Sequence, residues 1–242
     1  MSQTKHLSPN AKYACLAAAE KIVVLLNQAL EKAPRATLVV SGGRTPGEMF
    51  DSLAAGGDVD WERIHLFFTD ERAVAPTHAE SNFGMVLKRL IEPAAIPAEN
   101  VHRIHGEVSP HEAVRRYLHD IRSFFDLAMA EMPRFDVIHL GIGADGHTAS
   151  LFPGEPYIEN RENVAAAVYA ESKLQWRITL LPGVLLAARN LVVLAYGGDK
   201  EEPLWRAWFG ELDPLRCPAQ LIARAAQDAD WFLDSAAAAR LV

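Results

Sequence analysis

The sequence predicts an α/β fold built on a mainly parallel sheet, in three layers with helices on both faces. Continuous apolar runs such as Ala36–Val40 and Ile64–Phe68 lack the in-out alternation of a half-solvated strand, so both their faces must be covered. Stretches with helical 3–4 spacing lie between such runs, as a parallel α/β sheet requires. Several of the runs end in polar loops, and the carboxyl ends of such strands are where these folds gather ligands.

In chain order, Leu16, Ala19, Val23, Leu26 and Leu30 share one helical face, with Ser8-Pro9 as the expected N-cap and first turn. The strand run 36–40 follows. Thr45-Pro46-Gly47-Glu48 reads as a capping box with proline at the first helical position. After the strand run 64–68, residues 91–97 read as a loop containing Pro93 and Pro97. Ser109-Pro110-His111-Glu112 reads as a second capping box, with Val114, Leu118, Ile121 and Phe125 as the buried face of its helix. Further strand runs occupy 135–140, 164–169, 191–196 and 231–233.

Half of the 242 residues are apolar, enough for one α/β domain over 1–242, and no linker or repeat divides it. A formal charge of −7 argues against a general nucleic-acid surface. Cys15 and Cys217 form no metal or redox motif and fit packed thiols in a reducing compartment. Met1-Ser2-Gln3-Thr4-Lys5-His6 lacks the apolar core of a secretion signal, and no apolar run reads as long enough to span a bilayer. A cytoplasmic protein is expected.

The run 135–140 leads into Gly141-Ile142-Gly143-Ala144-Asp145-Gly146-His147-Thr148-Ala149-Ser150. A glycine turn at a strand end that delivers an imidazole suggests an active site, since histidine is suited to proton transfer near neutral pH. The plainer reading of His147 is a turn or capping residue. A dinucleotide fingerprint fits poorly, because the proline-rich stretch 152–156 interrupts the helix and strand that would have to follow.

Other strand-end loops carry chemistry too. Ser41-Gly42-Gly43-Arg44-Thr45 runs into a helix start, where backbone N–H groups can face an anion; the alternative is a tight turn with no ligand. Thr69-Asp70-Glu71-Arg72 follows the second strand, although a lone Asp-Glu-Arg is usually a solvated turn. Arg177 and Lys200 are surface cations unless they face the same crevice as Arg72, in which case they would grip a phosphate. His102, His105 and His111 lack the spacing of a catalytic metal site, and no Gly-x-Ser-x-Gly elbow supplies a nucleophile. His147 is left as a base acting on water.

Together these segments resemble 6-phosphogluconolactonases. The resemblance rests on Ser41-Gly42-Gly43-Arg44-Thr45-Pro46, Thr69-Asp70-Glu71-Arg72, Glu80-Ser81-Asn82-Phe83-Gly84-Met85, the run from Gly141 through His147 to Pro153, Arg177-Ile178-Thr179 and Gly198-Asp199-Lys200. The glycine-histidine segment is the most specific. Ala73-Val74-Ala75-Pro76 departs from the pattern, which often has an aromatic residue after the arginine.

The resemblance implies a Rossmann-like fold shared with sugar-phosphate isomerases and deaminases. It implies hydrolysis of 6-phospho-D-glucono-1,5-lactone to 6-phospho-D-gluconate, in the oxidative pentose phosphate pathway, without a cofactor; the lack of metal-ligand spacing adds that no metal is expected. His147 is then the base, with Asp145 or Asp70 orienting it or holding substrate hydroxyls. Ser41, Gly42, Gly43, Arg44, Thr45, Arg72, Arg177 and Lys200 would hold the phosphate. The expected partner is a small phosphosugar lactone, with no nucleic acid or membrane, and the chain is expected to be a monomer or weak homodimer. Two other readings stand beside this one: a glucosamine-6-phosphate deaminase-like enzyme, whose Gly-His loop continues to a glutamate absent here, and a non-catalytic sugar-phosphate sensor.

Overall fold

The computed structural model describes residues 2–43, 45–56, 58–226 and 228–241. Its main sheet has seven strands, all pairs parallel, in the order β1 (Ser2–Ser8), β10 (Asp228–Asp234), β9 (Asn190–Ala195), β6 (Val137–Gly141), β2 (Ala36–Val40), β3 (Ile64–Phe68) and β5 (Val101–His102). The central position of β2 and β6 explains their apolar runs: every residue of β2 is buried, as are Val137 to Leu140.

A second sheet of three antiparallel strands joins β4 (Asp70–Arg72), β8 (Gln175–Leu180) and β7 (Ala165–Ala170). Two expectations change here. The run 164–169 is a strand, but an antiparallel one outside the main sheet, and Thr69-Asp70-Glu71-Arg72 is not a solvated turn. Thr69 bridges the sheets: its N–H donates to Val40 O at 2.9 Å, and its carbonyl accepts from Leu180 N at 2.7 Å. β1, β5 and β8 escape periodicity analysis because each mixes polar with apolar residues.

The helices include α1 (Ala11–Leu30), α2 (Gly47–Ala55), α3 (Asn82–Val86), α4 (Pro110–Phe125), α5 (Pro182–Ala187) and α6 (Glu201–Phe209). The cap of α1 is Asn10, whose side chain accepts from Tyr13 N at 3.3 Å, rather than Ser8-Pro9. Neither expected capping box forms. α2 begins after Pro46 and α4 after Ser109, each without a side-chain cap, and Glu112 instead pairs with Arg115 and Arg116. The buried face of α4 is Ala113, Tyr117 and Ile121, with Val114, Leu118 and Phe125 at its margins. The Tyr117 hydroxyl closes the end of β3, donating to Phe68 O at 2.6 Å and accepting from Phe68 N at 3.0 Å.

By length and mean hydropathy alone α1 could cross a membrane, contrary to the sequence reading. In the fold it is a core helix. Ala14, Cys15, Ala18, Ala19, Ile22, Leu25 and Leu26 are buried, and the helix lies against β9, β10 and α2.

Candidate active site

Beyond β6 the chain turns at Gly143 and Gly146 to place His147 in a crevice of about 200 Å3. Gly143 N donates to His147 O at 2.8 Å, and Ala219 N donates to Gly146 O at 2.9 Å. Gly146 has φ +88°, which suits glycine. At Gly143 the constraint is space, because a Cβ there would fall on the His147 ring. Gly143→Ala is therefore expected to displace the imidazole and lower kcat about 10-fold, with a smaller change in KM, measured by steady-state kinetics.

His147 Nδ1 meets Asp145 Oδ1 at 2.5 Å, and His147 N donates to the same oxygen at 3.1 Å. Asp145 stands behind the imidazole rather than in the crevice wall. Burial acts to raise its pKa; the hydrogen bond and charge of His147 more than offset this, bringing it down to about 2. A carboxylate at Nδ1 fixes the proton there and leaves Nε2 as the basic nitrogen. Phe152 packs on the ring with centroids 4.6 Å apart.

The opposite wall is cationic. Arg72 and Arg177 are directly paired across β4 and β8. Like charges in such a position repel unless an anion joins them. Burial, and then Arg72, lower the Arg177 pKa, while Asp70, Glu80 and Glu71 act against this. The Nε atoms of both arginines are buried without a hydrogen-bond partner among the described residues. Arg72 Nη1 donates to Glu80 O. Lys200 lines the same crevice and pairs with Asp199 at 2.7 Å, and Lys173 joins from the turn before β8.

Asp70 lies in the wall and is 6% exposed, accepting from Thr69 Oγ1 at 3.1 Å and Ser150 Oγ at 2.7 Å. It is held by hydroxyls, whereas Asp145 holds His147. Glu71 is more deeply buried still. It accepts from the backbone N–H groups of Arg72, Asn82 and Phe83, each at 2.7 Å, and from Ser81 Oγ at 3.0 Å. Burial pushes its carboxyl pKa up, and those N–H groups act against the rise. Its contacts tie β4 to the start of α3, and so fix where Arg72 emerges.

Ser41, Gly42, Gly43 and Thr45 line the crevice at the start of α2. Arg44 lies outside the described residues. Every other residue expected from sequence is in the crevice wall, except Asp145, which reaches it through His147. Sequence reasoning missed Lys173, His139, Asn82 and Ser150. Of these, Asn82 and Ser150 stand in segments that carry the resemblance, and His139 is a polar residue inside the otherwise apolar run of β6.

The model of the family described as glucosamine-6-phosphate isomerases/6-phosphogluconolactonase matches residues 9–231. The chain belongs to this family. It is 31% identical over 242 residues to a 6-phosphogluconolactonase of Nostoc sp., covering 100% of this chain and 99% of the relative. It is 36% identical over 210 residues to the human 6-phosphogluconolactonase, covering 84% and 80% of the two chains. The crystal structure of the 6-phosphogluconolactonase of Thermotoga maritima superposes with a TM-score of 0.83 at 28% identity, over 96% of this chain and 100% of that one. A monomeric glucosamine-6-phosphate deaminase shares the fold at a TM-score of 0.83 and 18% identity, over 98% of this chain and 99% of that one. The Rossmann-like α/β fold expected from sequence is therefore that of the family.

Proposed function

We propose that the chain hydrolyses 6-phospho-D-glucono-1,5-lactone to 6-phospho-D-gluconate, with His147 as general base and the whole of 1–242 acting as one catalytic domain. One observation carries the reading. An imidazole fixed by a carboxylate shares a crevice with two cross-strand arginines whose Nε atoms lack partners. The first arrangement can activate water, and the second can accept a phosphate dianion.

In this reading Nε2 of His147 takes a proton as a water oxygen bonds to C1 of the lactone. The carbonyl electrons move onto oxygen, and the tetrahedral oxyanion collapses with cleavage of the bond between C1 and the ring oxygen. The proton on Nε2 passes to that departing oxygen. The acid product then ionises, so each turnover releases one proton. Asp145 remains a carboxylate throughout and stabilises the transient imidazolium. Arg72, Arg177 and Lys200 hold the phosphate, with Gly42, Gly43 and Thr45 presenting backbone to it. Proton release on adding freshly made lactone to the pure protein tests the reading; absence of release above the spontaneous rate would reject it.

The deaminase alternative is not favoured. Where its Gly-His loop would carry a glutamate, this chain has Phe152, which packs on the His147 ring. The sensor alternative gives no role to the His147–Asp145 pair. The proposed enzyme is cytoplasmic and acts as a monomer or weak homodimer on a small molecule, without nucleic acid or membrane.

The proposed steps need no metal, and the described residues contain no group of three or more His, Cys, Asp or Glu arranged to hold one. Dialysis against a strong chelator is expected to leave the lactonase rate unchanged. Loss of activity restored by one divalent ion would overturn that expectation.

A further inference from the structure

Residue 139 lies within the buried strand β6, where an aliphatic side chain would pack without polar cost. The residue is histidine, 1% exposed, and it lines the crevice together with Ser41, Gly42 and Gly43. Ser41 N–H donates to His139 Nδ1 at 3.4 Å, and Ser41 Oγ lies 3.1 Å from His139 O and 2.8 Å from Thr69 Oγ1. The N–H and the hydroxyl of Ser41 thus both face residue 139. The N–H of Ser41 is turned into the protein and is not offered to a ligand. One residue on, a Cβ at Gly42 would fall on the Asn82 side chain, so the turn is gripped from its other side as well.

We propose that His139 is a positioning residue for the phosphate-binding turn. As a neutral acceptor at Nδ1, it fixes the Ser41 peptide and with it the course of the Gly42–Gly43 turn that lines the crevice. The inference rests on the reading that this turn holds the phosphate. For Nδ1 to accept, the ring proton must sit on Nε2. Nε2 is buried with no partner among the described residues. Burial lowers the His139 pKa to about 3, which keeps Nδ1 unprotonated near neutral pH. A charged ring would present a second donor to the Ser41 N–H and push the turn away.

The test uses the intact chain with three substitutions. His139→Asn leaves an acceptor near the Nδ1 position, His139→Gln moves the amide out towards Nε2, and His139→Leu removes both. KM and kcat are measured on 6-phosphogluconolactone and on gluconolactone without phosphate, with Arg177→Ala alongside. His139→Leu and His139→Gln are expected to raise KM for the phosphorylated lactone about 5–10-fold, with kcat changed less than about 3-fold, and to reduce selectivity for it by a similar factor. His139→Asn should restore most of that loss. If the leucine variant does not fold, the asparagine and glutamine variants carry the comparison. An unchanged KM in the glutamine variant, equal losses on both lactones, or an asparagine variant no better than the glutamine one would each overturn the proposal. Where Arg177→Ala loses phosphate selectivity and the His139 variants do not, only the role of His139 fails. Where Arg177→Ala also keeps selectivity, the phosphate reading fails and the His139 proposal falls with it.

Discussion

His147→Asn is expected to lower kcat on 6-phosphogluconolactone by about 10²–10⁴-fold while KM changes only a few-fold. The amide fills much of the imidazole's space and can still pair with Asp145, but it has no basic nitrogen at the Nε2 position. The phosphate contacts come from other segments, so substrate should still bind. Asp145→Asn should also lower kcat, by up to about 10⁴-fold, because an amide that donates to Nδ1 puts the ring proton on Nε2 and so takes away the basic nitrogen. With its pKa near 2, Asp145 stays ionised well below neutral pH, so a fall in rate between pH 7 and 4 would not be due to its protonation. Its contribution to stability has the same sign. It is complete above the ordinary aspartate value of 3.8 and is lost as pH falls through about 2. Near-normal turnover by His147→Asn, measured by initial-rate proton release, would remove His147 from the mechanism.

The legible parts of the fold were those governed by local burial. β2, β3, β6 and β9 are covered on both faces, and their apolar runs say so without reference to partners. The edge strand β1 is legible only through its partner: Gln3 receives Trp231 Nε1–H at 2.8 Å, and His6 stacks on Phe232 at 4.5 Å. β4 is three residues of Asp-Glu-Arg, a pattern that reads as a solvated turn until Glu71 is seen accepting three backbone N–H groups. In the site, the glycine-histidine turn and the separate cations were visible in the chain. The choice between Asp145 and Asp70 was not, because both are acidic residues beside strand ends. Only the hydrogen bonds distinguish them, Asp145 to imidazole and Asp70 to the hydroxyls of Thr69 and Ser150. Asn82 and Ser150 lie in segments that carry the resemblance, but their contacts were not legible, since their partners lie 12 and 80 residues away in sequence.

Arg72→Ala or Arg177→Ala is expected to reduce kcat/KM on the phosphorylated lactone by about 10–100-fold. The two guanidinium groups face each other across β4 and β8, and burial and mutual repulsion both weigh on Arg177. A phosphate dianion relieves that repulsion and supplies acceptors for the guanidinium N–H groups. Hydrogen bonds to charged groups contribute about 1.5–3 kcal/mol each, which sets the size of the loss. Removing one arginine relieves the other of its like-charged neighbour but leaves a space in the wall and deprives Asp70, Glu71 and Glu80 of a cation, so a thermal melt of each variant accompanies the kinetics and the loss is assigned to binding where the fold is kept. Arg72→Lys should recover only part of it, because an ammonium cannot reproduce the planar fork. The deciding comparison is gluconolactone without the phosphate. The parent chain should turn it over poorly, and the alanine variants should lose little more on it. Equal losses on both lactones would assign these arginines to the fold or to the lactone end of the substrate, and the phosphate would have to be held elsewhere in the crevice.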